Sequence, residues 1–120
     1  MTSVAHREKT AIRYVEAVNT RDVDAMQAIF ARDARLEDPV GSEPIVGIGA
    51  IVAFYRDIIF PQVRSAELTG PARCPENAVA FSFRVVSDGE NGEQSTDIID
   101  VLEFDDDGLV IQMKAYWTPF

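Results

Sequence analysis

Apolar side chains recur with helical spacing through the first third of the chain. Ala11, Tyr14, Val15 and Val18 fall at i, i+3, i+4 and i+7, one stripe turned toward a core, with Arg13 and Glu16 off it. Asn19-Thr20-Arg21-Asp22 reads as a stop followed by a new start, with Asp22 the N-cap of a second helix over 23–31 that buries Met26, Ile29 and Phe30. The period then becomes two. Ala34, Leu36 and Asp38 share one face of a short strand and Arg35 and Glu37 the other, until Pro39 ends it and Gly41, Ser42 and Pro44 make a loop. A third helix is predicted over 48–59, with Ile48, Ile51, Val52, Tyr55, Ile58 and Ile59 at helical spacing and Pro61 closing it.

The second half reads as strands and turns. Residues 65–74 form a strand interrupted by Gly70 and Pro71, hence an edge or a bend. Over 78–86, Val79, Phe81, Phe83 and Val85 alternate with Ala80, Ser82 and Arg84. Asp88-Gly89-Glu90-Asn91-Gly92 is a hairpin signal, 96–104 the next strand, Asp105-Asp106-Asp107-Gly108 a turn, and 109–117 the last strand. On that last strand Met113 and Trp117 are expected to share a face with Leu109 and Ile111. The order predicts an α+β fold, helices against one face of a curved, mainly antiparallel sheet, as one domain over residues 1–120.

Charge narrows the partners. Twenty Asp and Glu against eleven Lys and Arg give a net charge of −9, which argues against nucleic acid and against anionic membrane surfaces, both of which bind through Lys and Arg. A neutral, apolar small molecule remains allowed. Cys74 is the only cysteine and His6 the only histidine, so a disulfide, a cysteine-built zinc site and a Ser-His-Asp triad are all disfavoured. The opening Met1-Thr2-Ser3-Val4-Ala5-His6-Arg7-Glu8-Lys9 lacks the apolar centre of a signal peptide, and the apolar run over 45–55 is about half the ~20 residues that span a bilayer. A cytoplasmic protein without membrane insertion is expected.

Three polar residues sit where packing alone favours an apolar one. Asp38 lies on the inward face with Ala34 and Leu36. Asp100 is a lone carboxyl inside Ile98-Ile99-Asp100-Val101-Leu102, on the face of Ile98, Leu102 and Phe104. Tyr14 lies in the buried stripe of the first helix, with a hydroxyl that needs a partner. No Lys or Arg falls on the inward faces near either acid, so Asp100 is expected to be neutral and able to donate a hydrogen bond. Asp38, beside a Pro- and Gly-containing loop, is expected to be wetter and ionised; two carboxyls in unlike surroundings can divide acid and base roles. Taken singly, each also has a plainer reading: for either acid a turn-former, a dimer contact or a strand face assigned the wrong way round, and for Tyr14 plain core. Gly47-Ile48-Gly49 lacks the third glycine and the leading strand of a dinucleotide motif, Asp105–Gly108 lacks calcium-loop spacing, and Cys74 reads as an incidental thiol.

The sequence resembles bacterial ketosteroid isomerase over about residues 13–117. The most specific piece is Glu37-Asp38-Pro39-Val40-Gly41-Ser42-Glu43-Pro44, which is similar to the family's general-base segment. Arg13-Tyr14-Val15, Asp22-Val23-Asp24, Phe54-Tyr55 and Ile99-Asp100 fall in register with it. The resemblance implies a cone-shaped, nuclear-transport-factor-2-like α+β domain, a homodimer packed sheet to sheet, and isomerisation of a 3-oxo-Δ5-steroid without cofactor or metal. It further implies that Asp38 moves the proton, that Tyr14 and protonated Asp100 hold the carbonyl oxygen, and that Tyr55 supports Tyr14. Phe54, Phe83, Val85, Met113 and Trp117 would wall the cavity. Phe30 stands where some relatives carry a tyrosine, and Ser87 to Ser95 does not align cleanly. The alternatives are a non-catalytic binder of steroid- or isoprenoid-like ligands, and another reaction such as epoxide hydrolysis. The latter calls for an Asp-Arg-Asp set, and the one strand arginine that suggests it, Arg84, faces away from Phe81 and Phe83.

Overall fold

A computed structural model describes residues 1–119. Helix α1 spans Val4–Thr20, capped by Ser3, whose hydroxyl accepts from the His6 N–H. The chain turns through Arg21 in the left-handed region (φ 55°), and Asp22 caps α2 (Val23–Ile29) by accepting from the Ala25 N–H at 3.0 Å. The second helix stops two residues short of its predicted end. Phe30 instead opens β1 (Phe30–Glu37) and is buried in phase with Ala34 and Leu36, the register against β6 shifting between Phe30 and Arg35.

After the two-residue β2 (Ile45–Val46), the third helix is not continuous over 48–59. An α-helix, α3 (Ile48–Phe54), gives way to a single π turn over Tyr55–Ile59, in which the Phe60 N–H bonds to the Tyr55 carbonyl, and then to a 3₁₀ turn (Phe60–Gln62) containing Pro61. The wider turn keeps both Tyr55 and Phe60 buried five positions apart, which a 3.6-residue repeat does not do.

Strands β3 (Val63–Leu68), β4 (Ala78–Gly89), β5 (Gly92–Phe104) and β6 (Val110–Tyr116) complete a six-stranded sheet in the order β2-β1-β6-β5-β4-β3. Only the β1–β6 pair is parallel. The third strand ends before Gly70, so the predicted stretch to Cys74 survives only as an isolated bridge between Arg73 and Ala80. The β4–β5 hairpin is longer than its alternation suggests, pairing down to Gly89 and Gly92. Asp105 closes the next turn by accepting from the N–H groups of Asp107 and Leu109.

Helix α1 lies across β3 and β4, and α3 packs on β1, so all three helices cover one face. Burial of Val79, Phe81, Leu102 and Met113 against Tyr14, Val15, Met26 and Ile51 forms the core between the two layers. The opposite face leaves Ile99, Ile111 and Tyr116 exposed. Among the described residues no helix is long and apolar enough to cross a membrane.

Candidate active site

The core is interrupted by one cavity of about 290 Å³ between α1, the π turn and the sheet. That is near the lower end of small-ligand pockets, which run from about 300 to 1,000 Å³. Both aspartates and both tyrosines singled out by the sequence line it: Tyr14, Asp38, Tyr55 and Asp100. Each arrives on a different element.

Asp100 is presented by the alternation of β5, which points it inward between Phe81 on β4 and Ala115 on β6. It is fully buried, and neither carboxyl oxygen has a hydrogen-bond partner among the described residues. A buried, unpaired carboxylate costs several kcal/mol, about as much as moves the equilibrium to the protonated acid. Burial, and after it the negative charge of Asp38, push the Asp100 pKa well above the usual carboxylate range. The nearby Tyr14 hydroxyl pulls the other way, though it stops short of a hydrogen bond.

Tyr14 reaches the cavity from the buried stripe of α1, its ring held edge-on by Phe81 and Phe83 at centroid distances of 5.8 and 5.9 Å. Its hydroxyl lies 2.6 Å from that of Tyr55, and Tyr55 Oη also sits 3.5 Å from Met113 Sδ. Either phenol can donate in this pair, and where Tyr55 is the donor the Tyr14 proton is free to point into the cavity. Burial, then the charges around them, raise both phenol pKa values well above the ordinary one, so both stay protonated. Phe30 packs 6.4 Å from Tyr55 and carries no hydroxyl, so the chain of polar contacts ends at Met113.

Asp38 follows the last residue of β1, carried inward by the same alternation that buries Ala34 and Leu36. Its loop is pinned by the Val40 N–H, which donates to the Ala115 carbonyl at 2.8 Å. The Trp117 indole N–H donates to Asp38 Oδ1 at 2.6 Å. Asp38 is half-buried, wetter than Asp100 as its loop position implied. Burial raises its pKa above the ordinary value, and the Trp117 bond, which favours the charged form, holds it down.

Of the expected wall, Phe83, Val85 and Trp117 line the cavity; Phe54 and Met113 do not. Phe54 ends α3 and packs edge-on behind Tyr55 at 5.5 Å. Met113 is fully buried beneath the Tyr55 hydroxyl. A bulge explains the last strand: Glu103 pairs with Gln112 but Phe104 with Val110, so Ile111 is skipped and turned outward. Ile111 therefore leaves the face expected for it with Met113 and Trp117, and Val110, Met113 and Ala115 are the buried set. Gln62, Ser87, Gln94 and Thr96 also line the cavity. For Gln94 and Thr96 the signal lies in the phase of β5, since 94, 96, 98 and 100 alternate onto one face.

Three helices over one face of a mostly antiparallel sheet, enclosing a cavity with two unlike carboxyls, place the protein in the nuclear-transport-factor-2-like class. Within it, the chain belongs to the SnoaL-like domain family, which it matches over residues 11–113. It is 40% identical over 107 residues to the Steroid Delta-isomerase of Nocardioides simplex, covering 89% of this chain and 85% of that relative. It is also 29% identical over 119 residues to Epoxide hydrolase LasB of Streptomyces lasalocidi, covering 92% of this chain but only 41% of the longer protein.

Proposed function

We propose that the protein is a steroid Δ-isomerase that converts 3-oxo-Δ5-steroids to the conjugated Δ4 isomers. The observation that carries this reading is the meeting, in one cavity, of a fully buried carboxyl without a hydrogen-bond partner, a phenol hydroxyl, and a second, half-buried carboxyl held by an indole N–H.

In this reading the Asp38 carboxylate takes a proton from C4, and the electrons move onto the C3 oxygen as a dienolate. Tyr14 and protonated Asp100 donate hydrogen bonds to that oxygen, and they do so most strongly when its charge is largest, in the transition state. Ketosteroid isomerases hold a carboxylic acid neutral so that it can donate such a bond. Asp38 then returns its proton to C6, which places the double bond in conjugation and regenerates the carboxylate. Trp117 holds Asp38 in place through one oxygen and leaves the other for the substrate. Tyr55 orients Tyr14. The steps need no cofactor.

The similarity to a steroid Delta-isomerase supports the reading. Epoxide hydrolysis is less well supported: among the described residues no arginine lines the cavity, and Arg84 is bound to Asp97 at 2.9 Å on the outer face. We further propose a homodimer formed through that outer face, where Ile99 and Tyr116 pair and are exposed. Incubation with 5-androstene-3,17-dione, followed by the rise of conjugated-enone absorbance, tests the activity. Acceleration over buffer is expected; none contradicts it, and binding without turnover identifies a silent binder instead.

A further inference from the structure

The cavity changes character along β5. Asp100, Ile98, Thr96 and Gln94 occupy alternate positions and all line it, a row about 20 Å long at the usual strand rise. Ile98 pairs with Phe83, Thr96 with Val85 and Gln94 with Ser87. The row thus runs from the buried acid, through an apolar girdle, to a polar end that Gln62 joins from the 3₁₀ turn.

That polar end has spare hydrogen-bonding capacity. Gln62 donates its amide to the Ile58 carbonyl at 2.9 Å, which leaves its side-chain oxygen unused. The side chains of Ser87, Gln94 and Thr96 make no hydrogen bond among the described residues. Arg64 pairs with Glu93 and Asp88 at 2.7 and 3.7 Å, and none of the three lines the cavity. What remains is a set of neutral donors and acceptors.

We propose that this end of the cavity selects ligands carrying an uncharged oxygen, a hydroxyl or a carbonyl, on the ring farthest from Asp100, and that Thr96, Gln94, Ser87 and Gln62 are the specificity-determining residues. The orientation rests on the isomerase reading, which puts the reacting ring at Tyr14 and Asp100. A rigid four-ring nucleus held there runs along the row and brings its last ring to the level of Thr96. An aliphatic tail at that place strips water from the four polar groups and gives nothing back, whereas a ligand oxygen satisfies them.

The test compares the dissociation constants of two phenolic steroids, equilenin and its analogue with a methylene at C17, on the wild type and on the Gln94→Leu/Thr96→Val double variant. The wild type is expected to favour equilenin by about tenfold, the worth of one or two hydrogen bonds at a half-exposed site. The double variant is expected to lose that preference, and Gln62→Leu to weaken it should the double variant fail to fold. Equal affinities in the wild type, no binding of either steroid, or a preference that survives the substitutions overturns the proposal. Binding does not require turnover, so a protein that shows the preference but fails the enone assay refutes the isomerase reading alone.

Discussion

The Trp117 indole N–H donates to Asp38 Oδ1 at 2.6 Å, joining residues 79 positions apart at the edge of one cavity. The bond stabilises the carboxylate and works against the burial that raises the Asp38 pKa. A general base must be ionised, so kcat/KM falls as pH drops through that pKa. Trp117→Phe removes the opposing contribution, and the acidic limb of the pH profile should move to higher pH. A limb that stays in place, or moves down, contradicts the positioning role.

Asp38→Asn removes the proposed base while nearly preserving shape. A loss of about 10²–10⁴-fold in kcat is expected, the usual worth of a positioned acid–base group. The assay is enone formation at neutral pH, and a variant with wild-type rate rules out Asp38 as the proton carrier.

Tyr14 and Tyr55 share a hydrogen bond but should not be equivalent. Tyr14→Phe deletes the proposed donor to the developing oxyanion and should cost about 10²–10³-fold in kcat. Tyr55→Phe only frees Tyr14 to reorient and should cost about 3–10-fold, the net value of one ordinary hydrogen bond. The reverse ranking in single-variant kinetics would place the wrong phenol at the substrate.

The acids and the phenol were legible in the sequence because each breaks a pattern: Asp100 an apolar strand, Asp38 the inward phase of β1, and Tyr14 a helical stripe. The sheet and helix order followed from the same periodicities. What escaped the sequence were departures from ideal period. The bulge at Ile111 inverts the last strand's alternation, and the π turn after Phe54 adds a residue where a 3.6 repeat was assumed. Neither accounts for Met113 and Phe54, which pack beneath and behind Tyr55 rather than against the cavity: periodicity sets an inward face but not the depth at which a side chain sits on it. Gln94 and Thr96 lay in phase with Asp100 all along, but polar residues near a hairpin read as solvated until the strand is seen to run to Gly92.

Asp100 should also mark the stability of the fold. Its folded pKa lies above the ordinary 3.8, so the unfolded chain loses this proton first as pH rises. Stability from this group is therefore complete below about pH 4 and declines upward until the folded pKa is passed, by at most about 1.4 kcal/mol per pH unit. Asn cannot ionise. The difference in urea unfolding free energy between Asp100→Asn and wild type should thus grow in favour of the variant from about pH 4 toward neutrality. A difference that is flat with pH contradicts a raised pKa.

The proposed chemistry depends on a protonated Asp100 at the pH where the enzyme works. The carboxyl-carbon NMR shift of Asp100, assigned by its loss in Asp100→Asn and followed against pH, measures this directly. It should keep its protonated value through neutral pH while exposed aspartates titrate in the ordinary acidic range. An Asp100 that ionises along with them leaves no neutral acid to hold the dienolate oxygen, and the assignment falls.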